Sequence, residues 1–474
     1  MSRFINLNRL KIVFLATFIF IFGANVSAQT TCDAIPGEVL IDLQPNSQGT
    51  LPAVAAQYGL NPTPLGQVGT PPTYRMQIIN GQTPCDVVAA MAGDARIFQR
   101  EVNRKIRYVE GYGYSWTSGR SWSVGRSWSV GGSAKGYNTQ WFPDVIHLQQ
   151  AHANSNKGNG VTIAVFDTGI DLTHPAFAGR LVAGYDFVDN DNDPSEVGVL
   201  HINPVYGHGT HVSGIAALTA PQAKIMPIRV LDADGVGDLW RLKDAMIWAA
   251  NPDGDPTTDD GADIFNFSFG YPENFTAQSN TFLHDLFNGC DDLVIPGEQL
   301  FPEFNDQKIL VVAAAGNGGQ IGNGAARIYP AAERGGVNDI DDNLLSVGAS
   351  TRYDKLASFS TMANVQNRST DRWVRTVAPG EDIISAIPGG RYGMWSGTSM
   401  AAPIVSGMAA LMKSNNQNIL LTDLVETVEE FGYEWDCRLE SRNIWMETLR
   451  VDASCAVNPV ACTFYPTERT ICDE

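Results

Sequence analysis

From Trp141 onward the chain alternates short, apolar runs with helical stretches, and this alternation narrows the possible folds more than any other feature. Val161 to Phe166, Lys224 to Val230, Ile264 to Phe267, Ile309 to Ala315 and Leu344 to Ala349 are apolar runs accompanied by turn signals. Between several of them stand helical stretches such as His211 to Leu218 and Leu239 to Ala250. Runs that stay apolar on successive residues suit strands buried on both faces, and helical crossovers make such strands parallel neighbours. The predicted class is therefore α/β, a mostly parallel sheet flanked by helices. In such sheets, function gathers where the strands feed their loops.

Four of those loops carry polar chemistry. The first strand ends in Phe166-Asp167-Thr168-Gly169, where a carboxylate beyond a buried strand can be held rigidly, although Asp-x-Gly is also ordinary turn chemistry. Gly207-His208-Gly209-Thr210-His211 opens a helix between glycines that let backbone approach closely. Two histidines three apart share a helical face and could read as a metal pair, but no third ligand motif lies nearby. Ala313-Ala314-Ala315-Gly316-Asn317-Gly318 is an apolar strand stopping at a turn. Its Asn either tolerates a left-handed backbone or presents an amide donor to a developing negative charge. Finally, Gly397-Thr398-Ser399-Met400-Ala401-Ala402-Pro403 puts Ser399 before a helical run from Met400 to Met412. There it is a helix cap or an exposed nucleophile beside free backbone N–H groups.

Asp167, His208, Asn317 and Ser399 occur in the order Asp, His, Asn, Ser, and with their flanking residues the chain resembles the subtilisin-like serine protease family. The matched stretches are Asp167-Thr168-Gly169, His208-Gly209-Thr210-His211 and Gly397 to Pro403, within roughly Trp141 to Val457. The resemblance implies that Ser399 attacks a peptide carbonyl, His208 moves the proton, Asp167 orients the imidazole, and Asn317 holds the oxyanion. It assigns His211 a supporting role. It also makes Ser268, Phe269 and Gly270 an edge strand for extended polypeptide substrates, and Ala313, Ala314, Ala315 and Gly316 a wall of the side-chain pocket. No metal and no cofactor enter this chemistry. Where many relatives carry an Asp for a tight calcium site, this chain has Ala176. Calcium as a structural ion remains an expectation only for the acidic stretches Asp186 to Asp193 and Asp253 to Asp260. Rivals are a peptide ligase or cyclase using the same acyl-enzyme, and a non-catalytic binding module on a protease-like scaffold.

Ahead of this region, Val39 to Leu43, Tyr74 to Ile79 and Ile97 to Tyr108 read as strands, with Leu51 to Tyr58 and Cys85 to Ala92 as helices between them. Such a small α+β unit resembles the family's inhibitory propeptide, an intramolecular partner removed after folding. A Ser-Trp pair recurring every six residues, in Gly119 to Val124 and Gly125 to Val130 among others, then forms a linker suited to proteolytic nicking. The expected division is 1–28 signal peptide, 29–112 propeptide-like domain, 113–140 linker, 141–457 peptidase domain and 458–474 tail.

The signal-peptide expectation rests on Arg3, Arg9 and Lys11 before an apolar run from Ile12 to Phe22, then Val26-Ser27-Ala28. That run is shorter than the roughly 20 residues a spanning helix needs, so a secreted protein without a membrane span is expected. The net charge of −19 and the absence of a basic block argue against a nucleic-acid partner. Seven cysteines suit an oxidising compartment. Cys32 is expected to pair with Cys85, and Cys437, Cys455, Cys462 and Cys472 to form two bridges, leaving Cys290 free.

Overall fold

The computed structural model describes residues 32–108, 134–200, 202–255, 258, 260–272, 309–319, 327–332, 343–362, 373–430, 433–439, 444–458 and 470–471. The signal stretch, the Ser-Trp repeat, Cys290, Cys462 and Cys472 lie outside the described residues.

The N-terminal unit runs β1 (Ala34–Leu43), α1 (Leu51–Tyr58), β2 (Gly66–Val68), β3 (Thr73–Gln77), α2 (Pro84–Ala90) and β4 (Ile97–Tyr108). Strand β1 pairs antiparallel with both β3 and β4. Alternation divides its side chains between two cores. Val39, Ile41 and Leu43 pack with Val54, Val87 and Met91 of the unit, whereas Leu40 joins Trp240 and Leu242 further along the chain. The expected disulfide between Cys32 and Cys85 is present and ties the start of the unit to α2. Cys455 is also disulfide-bonded.

The remainder contains α3 (Ala134–Asn138), α4 (Phe142–Val145), α5 (Leu148–Ala153), β5 (Thr162–Asp167), β6 (Tyr185–Asp186), α6 (His208–Thr219), β7 (Lys224–Arg229), β8 (Val236–Asp238) and α7 (Leu239–Ala250). It continues through β9 (Ile264–Phe267), β10 (Phe269–Pro272), β11 (Leu310–Ala314), β12 (Ile328–Tyr329), β13 (Leu344–Ser350), β14 (Thr376–Pro379), β15 (Ile383–Ile387) and β16 (Arg391–Trp395). The last elements are α8 (Thr398–Asn415), α9 (Leu421–Glu430), β17 (Tyr433–Leu439), β18 (Ile444–Arg450), α10 (Ala453–Val457) and β19 (Thr470–Ile471).

Among the described residues, ten strands form one sheet in the order β19-β17-β18-β14-β13-β11-β9-β5-β7-β6, parallel throughout except where β17 meets β18. The apolar runs lie in it, buried on both faces. Ile163 and Val165 of β5 face the core that holds α6 and α8, while Ala164 and Phe166 face the core that holds α7. Strand β5 is followed on one side by β7 and on the other by β9, so its C-terminal end is where the winding reverses. A second sheet, ordered β12-β10-β4-β1-β3-β2 with β8 also on β4, joins the N-terminal unit to the α/β body. Among the described residues, no helix is long and apolar enough to cross a membrane.

Candidate active site

Asp167 closes β5 and His208 opens α6, and the fold brings them together. Nδ1 of His208 lies 2.8 and 2.9 Å from the two Asp167 carboxylate oxygens, and the Thr168 amide donates to the same carboxylate at 2.8 Å. Both side chains are buried. The approach depends on two missing side chains. A Cβ on Gly209 would stand 2.1 Å from the Gly169 carbonyl and 3.0 Å from the Asp167 Cβ. A Cβ on Gly169, whose φ is +112°, would meet the Ser195 and Pro194 carbonyls at 2.7 and 2.9 Å.

Ser399 stands in the first turn of α8, a helix buried from Thr398 through Ser414. Pro403 lies within that helix and has no N–H to give the carbonyl four residues back, which is that of Ser399. The Ser268 hydroxyl, between β9 and β10, donates to that carbonyl at 3.0 Å instead. In return the Ser399 hydroxyl donates to the Ser268 carbonyl at 3.0 Å. The continuous Asp-His-Ser row expected from sequence is thus formed at its Asp-His half. The serine hydroxyl, a free rotor, is turned towards the strand end. Ser268 is itself steadied by Asn266 at 3.0 Å, and Asn266 by Ser406 of α8 at 2.8 Å.

Asn317 follows β11 and anchors its amide oxygen on Thr398, which donates from its backbone N–H at 2.9 Å and from its hydroxyl at 3.1 Å. Held by its oxygen, the amide has its NH2 group left to donate. The Gly316 amide donates to the same Thr398 hydroxyl at 3.0 Å, so the turn and the start of α8 are locked together. Ala313, Ala314 and Ala315 are fully buried at the end of β11. Thr398 and Asn266 lie within motif stretches that give them no role of their own, and Ser406 lies outside them, because small polar residues beside a helix start or in a strand give no local signal of what they bond.

His211 is buried with Nε2 3.2 Å from the Gly393 carbonyl, and its ring meets Trp395 edge-on at 5.9 Å. Burial, reinforced by the neighbouring His208, pushes its pKa down to about 3, so it is a neutral packing residue at ordinary pH. The acidic stretch after β6 has a protein counter-charge: Arg229 lies 2.5 Å from both Asp186 and Asp189. Among the described residues, no group of three or more His, Cys, Asp or Glu is arranged to hold a metal ion.

Strand β10, which contains Phe269 and Gly270, is paired on one side with β12 and on the other with β4 of the N-terminal unit. Phe269 stands opposite Tyr108 and Gly270 opposite Arg107. Strand β8 takes the other edge of β4, with Lys105, Ile106 and Arg107 opposite Asp238, Gly237 and Val236. The end of β4 therefore runs extended and antiparallel between two strand edges that approach the Ser268 corner.

The sequence model of the subtilase family matches residues 158–431. The thermophilic serine proteinase of Bacillus sp. (strain AK1) is 36% identical over 289 residues, which cover 59% of this chain and 58% of that protein. Thermitase of Thermoactinomyces vulgaris is 33% identical over 289 residues, covering 59% of this chain and 84% of thermitase. Fervidolysin from Fervidobacterium pennivorans, described as a keratinolytic enzyme related to subtilisin, superposes with a TM-score of 0.63 at 20% identity, over 90% of this chain and 61% of that one. That last likeness is one of fold. With the family match spanning more than half its length and serine proteinases among its relatives, this chain belongs to the subtilase family of serine-type endopeptidases.

Proposed function

We propose that the protein is a secreted serine endopeptidase that hydrolyses polypeptides through an acyl-enzyme on Ser399, and that it is made as a zymogen. The observation carrying this reading is the His208 to Asp167 pair at 2.8 Å; the Asn317 amide, whose oxygen is engaged by Thr398 next to Ser399, supports it. Attack requires the Ser399 hydroxyl to leave the Ser268 carbonyl and pass its proton to Nε2 of His208. An extended substrate added to this edge brings main-chain N–H groups that compete for that carbonyl and favour its release. His208 takes the proton and returns it to the leaving amine, while Asp167 stabilises the imidazolium through Nδ1. The oxyanion is met by the Asn317 amide and the backbone N–H of Ser399. Water then follows the same path in reverse and frees Ser399. No cofactor takes part; calcium, if bound, is structural.

The N-terminal unit acts as an intramolecular inhibitor. Support comes from β4, which fills the strand-adding edges of β8 and β10 as an extended substrate would. A serine-directed acylating reagent should label Ser399 and stop casein cleavage by mature protein, and Ser399→Ala should accumulate as uncleaved precursor. Unlabelled Ser399 with undiminished cleavage would refute the hydrolase reading; normal maturation of Ser399→Ala would refute self-processing.

A further inference from the structure

One carboxylate outside the Asp, His, Asn and Ser set touches both halves of the Asp167 and His208 pair through one neighbour each. Glu196 belongs to a segment running beside the loop after β5: the Ile170 amide donates to the Pro194 carbonyl at 3.0 Å, and the Glu196 amide donates to the Ile170 carbonyl at 3.0 Å. Pinned there, its side chain turns inward. One oxygen accepts from the Thr168 hydroxyl at 2.6 Å, and the other accepts from the Thr210 hydroxyl at 2.9 Å and the Thr210 amide at 3.3 Å. The Gly207 amide donates to it as well.

Both threonine hydroxyls are already committed as acceptors. Thr168 accepts from the Gly209 amide at 3.0 Å, and Thr210 accepts from the Asp171 amide at 2.9 Å. Their protons therefore go to Glu196. Thr168 follows Asp167 directly and gives that carboxylate its amide, while Gly207, Gly209 and Thr210 make up the turn that carries His208.

We propose that Glu196 is a positioning residue of the catalytic pair: one carboxylate ties the loop bearing Asp167 to the first turn of the helix bearing His208 and so holds the two in hydrogen-bonded alignment. This rests on the serine endopeptidase reading above. Neither residue of the pair could reach this alignment through its own backbone alone, since they come from β5 and α6. Burial pushes the Glu196 carboxyl up to about 7, against the donors from Thr168, Gly207 and Thr210, and the charge of Asp167 adds to the rise. The other titratable group coupled to Glu196 is Tyr206, whose own pKa is raised by burial and then by Glu196 and Asp171, with Arg391 opposing.

The test uses mature protein carrying Glu196→Gln or Glu196→Ala, assayed on a chromogenic peptide with active sites counted by an acylating titrant. Wild-type protein that does not turn over sinks the endopeptidase reading itself, independently of any variant. With active wild type, Glu196→Ala should lose about ten- to hundredfold in kcat per titrated site, the scale of a small misplacement of reacting groups. KM should stay within about twofold, because the substrate edges are untouched. The near-isosteric Glu196→Gln, which keeps the test alive if the Ala variant does not fold, should lose kcat in the same direction. Lowered thermal stability with unchanged kcat per titrated site in both variants would make Glu196 a structural filler and overturn the proposal.

Discussion

Ser268 and Ser399 exchange two hydrogen bonds, each hydroxyl donating to the other residue's carbonyl at 3.0 Å. One of the two exists because Pro403 cannot serve the Ser399 carbonyl from within α8. Removing the Ser268 hydroxyl strands a buried acceptor, which costs about 1–3 kcal/mol. In a Pro403→Ala background the helix can supply its own N–H, so Ser268→Ala should cost clearly less there. Thermal unfolding of the four proteins of this cycle measures the difference; equal costs in both backgrounds would contradict it.

Thr398 holds the Asn317 amide oxygen with two hydrogen bonds, so the oxyanion role proposed for its NH2 group depends on Thr398. Asn317→Leu should lower kcat about 10²- to 10³-fold with KM little changed, as expected for a donor used mainly in the transition state. Thr398→Val keeps the backbone N–H bond at 2.9 Å but removes the hydroxyl one at 3.1 Å, and should give a smaller loss in the same parameter. A Thr398→Val loss as large as that of Asn317→Leu would place the hydroxyl itself in the chemistry. Steady-state kinetics on a single anilide substrate separates the cases.

Lys243 of α7 is buried where the N-terminal unit meets the α/β body, with Nζ donating to the Thr73 hydroxyl and lying 3.8 Å from the Asp42 carboxylate. Burial raises the Asp42 pKa, and the Lys243 charge opposes the rise. Lys243→Met leaves that carboxylate without its cation, at about 3–5 kcal/mol. Adding Asp42→Asn should recover much of the loss. Unfolding of the Ser399→Ala precursor is the readout, and no recovery in the double variant would count against the pairing.

Glu101 of β4 is buried, and burial lifts its carboxyl to about 7 even though Arg104 lies 2.6 Å away. A folded pKa raised above the unfolded one means that the contribution of this group is fully present below the ordinary carboxylate range and lost as pH rises through about 7. Stability should therefore fall with rising pH across that window, by at most about 1.4 kcal/mol per pH unit from this group. Glu101→Gln in the Ser399→Ala precursor should flatten the slope between pH 5.5 and 8. An identical slope in both proteins would show that other groups set it.

The strands of the large sheet were legible because burial on both faces leaves runs such as Ile309 to Ala315 without polar interruption. Strand β4 was legible as a strand, but its partners were not. Pairing with β8 and β10 is a contact between segments well over a hundred residues apart, and alternation in one strand carries no information about which edge it will meet. The same limit explains Glu196. Asp167 and Ser399 stand at element boundaries marked by glycine and small residues, whereas Glu196 lies in a polar loop whose neighbours Thr168 and Thr210 become neighbours only on folding. The bond from the Ser268 hydroxyl to the Ser399 carbonyl answers Pro403, four residues further along, a backbone deficiency visible in the sequence whose remedy lies on another element.

Helix α8 is enclosed at every residue from Thr398 to Ser414, and the attacking oxygen rides on its second residue. The blade is thus forged into the keel of the molecule rather than mounted on a loop at its rim. The chemistry proposed for Ser399 therefore depends on the packing at the centre of the molecule, where local opening is least favourable. Loss of the proposed activity on heating should then track collapse of the whole body, with no separate loosened, cutting state before it.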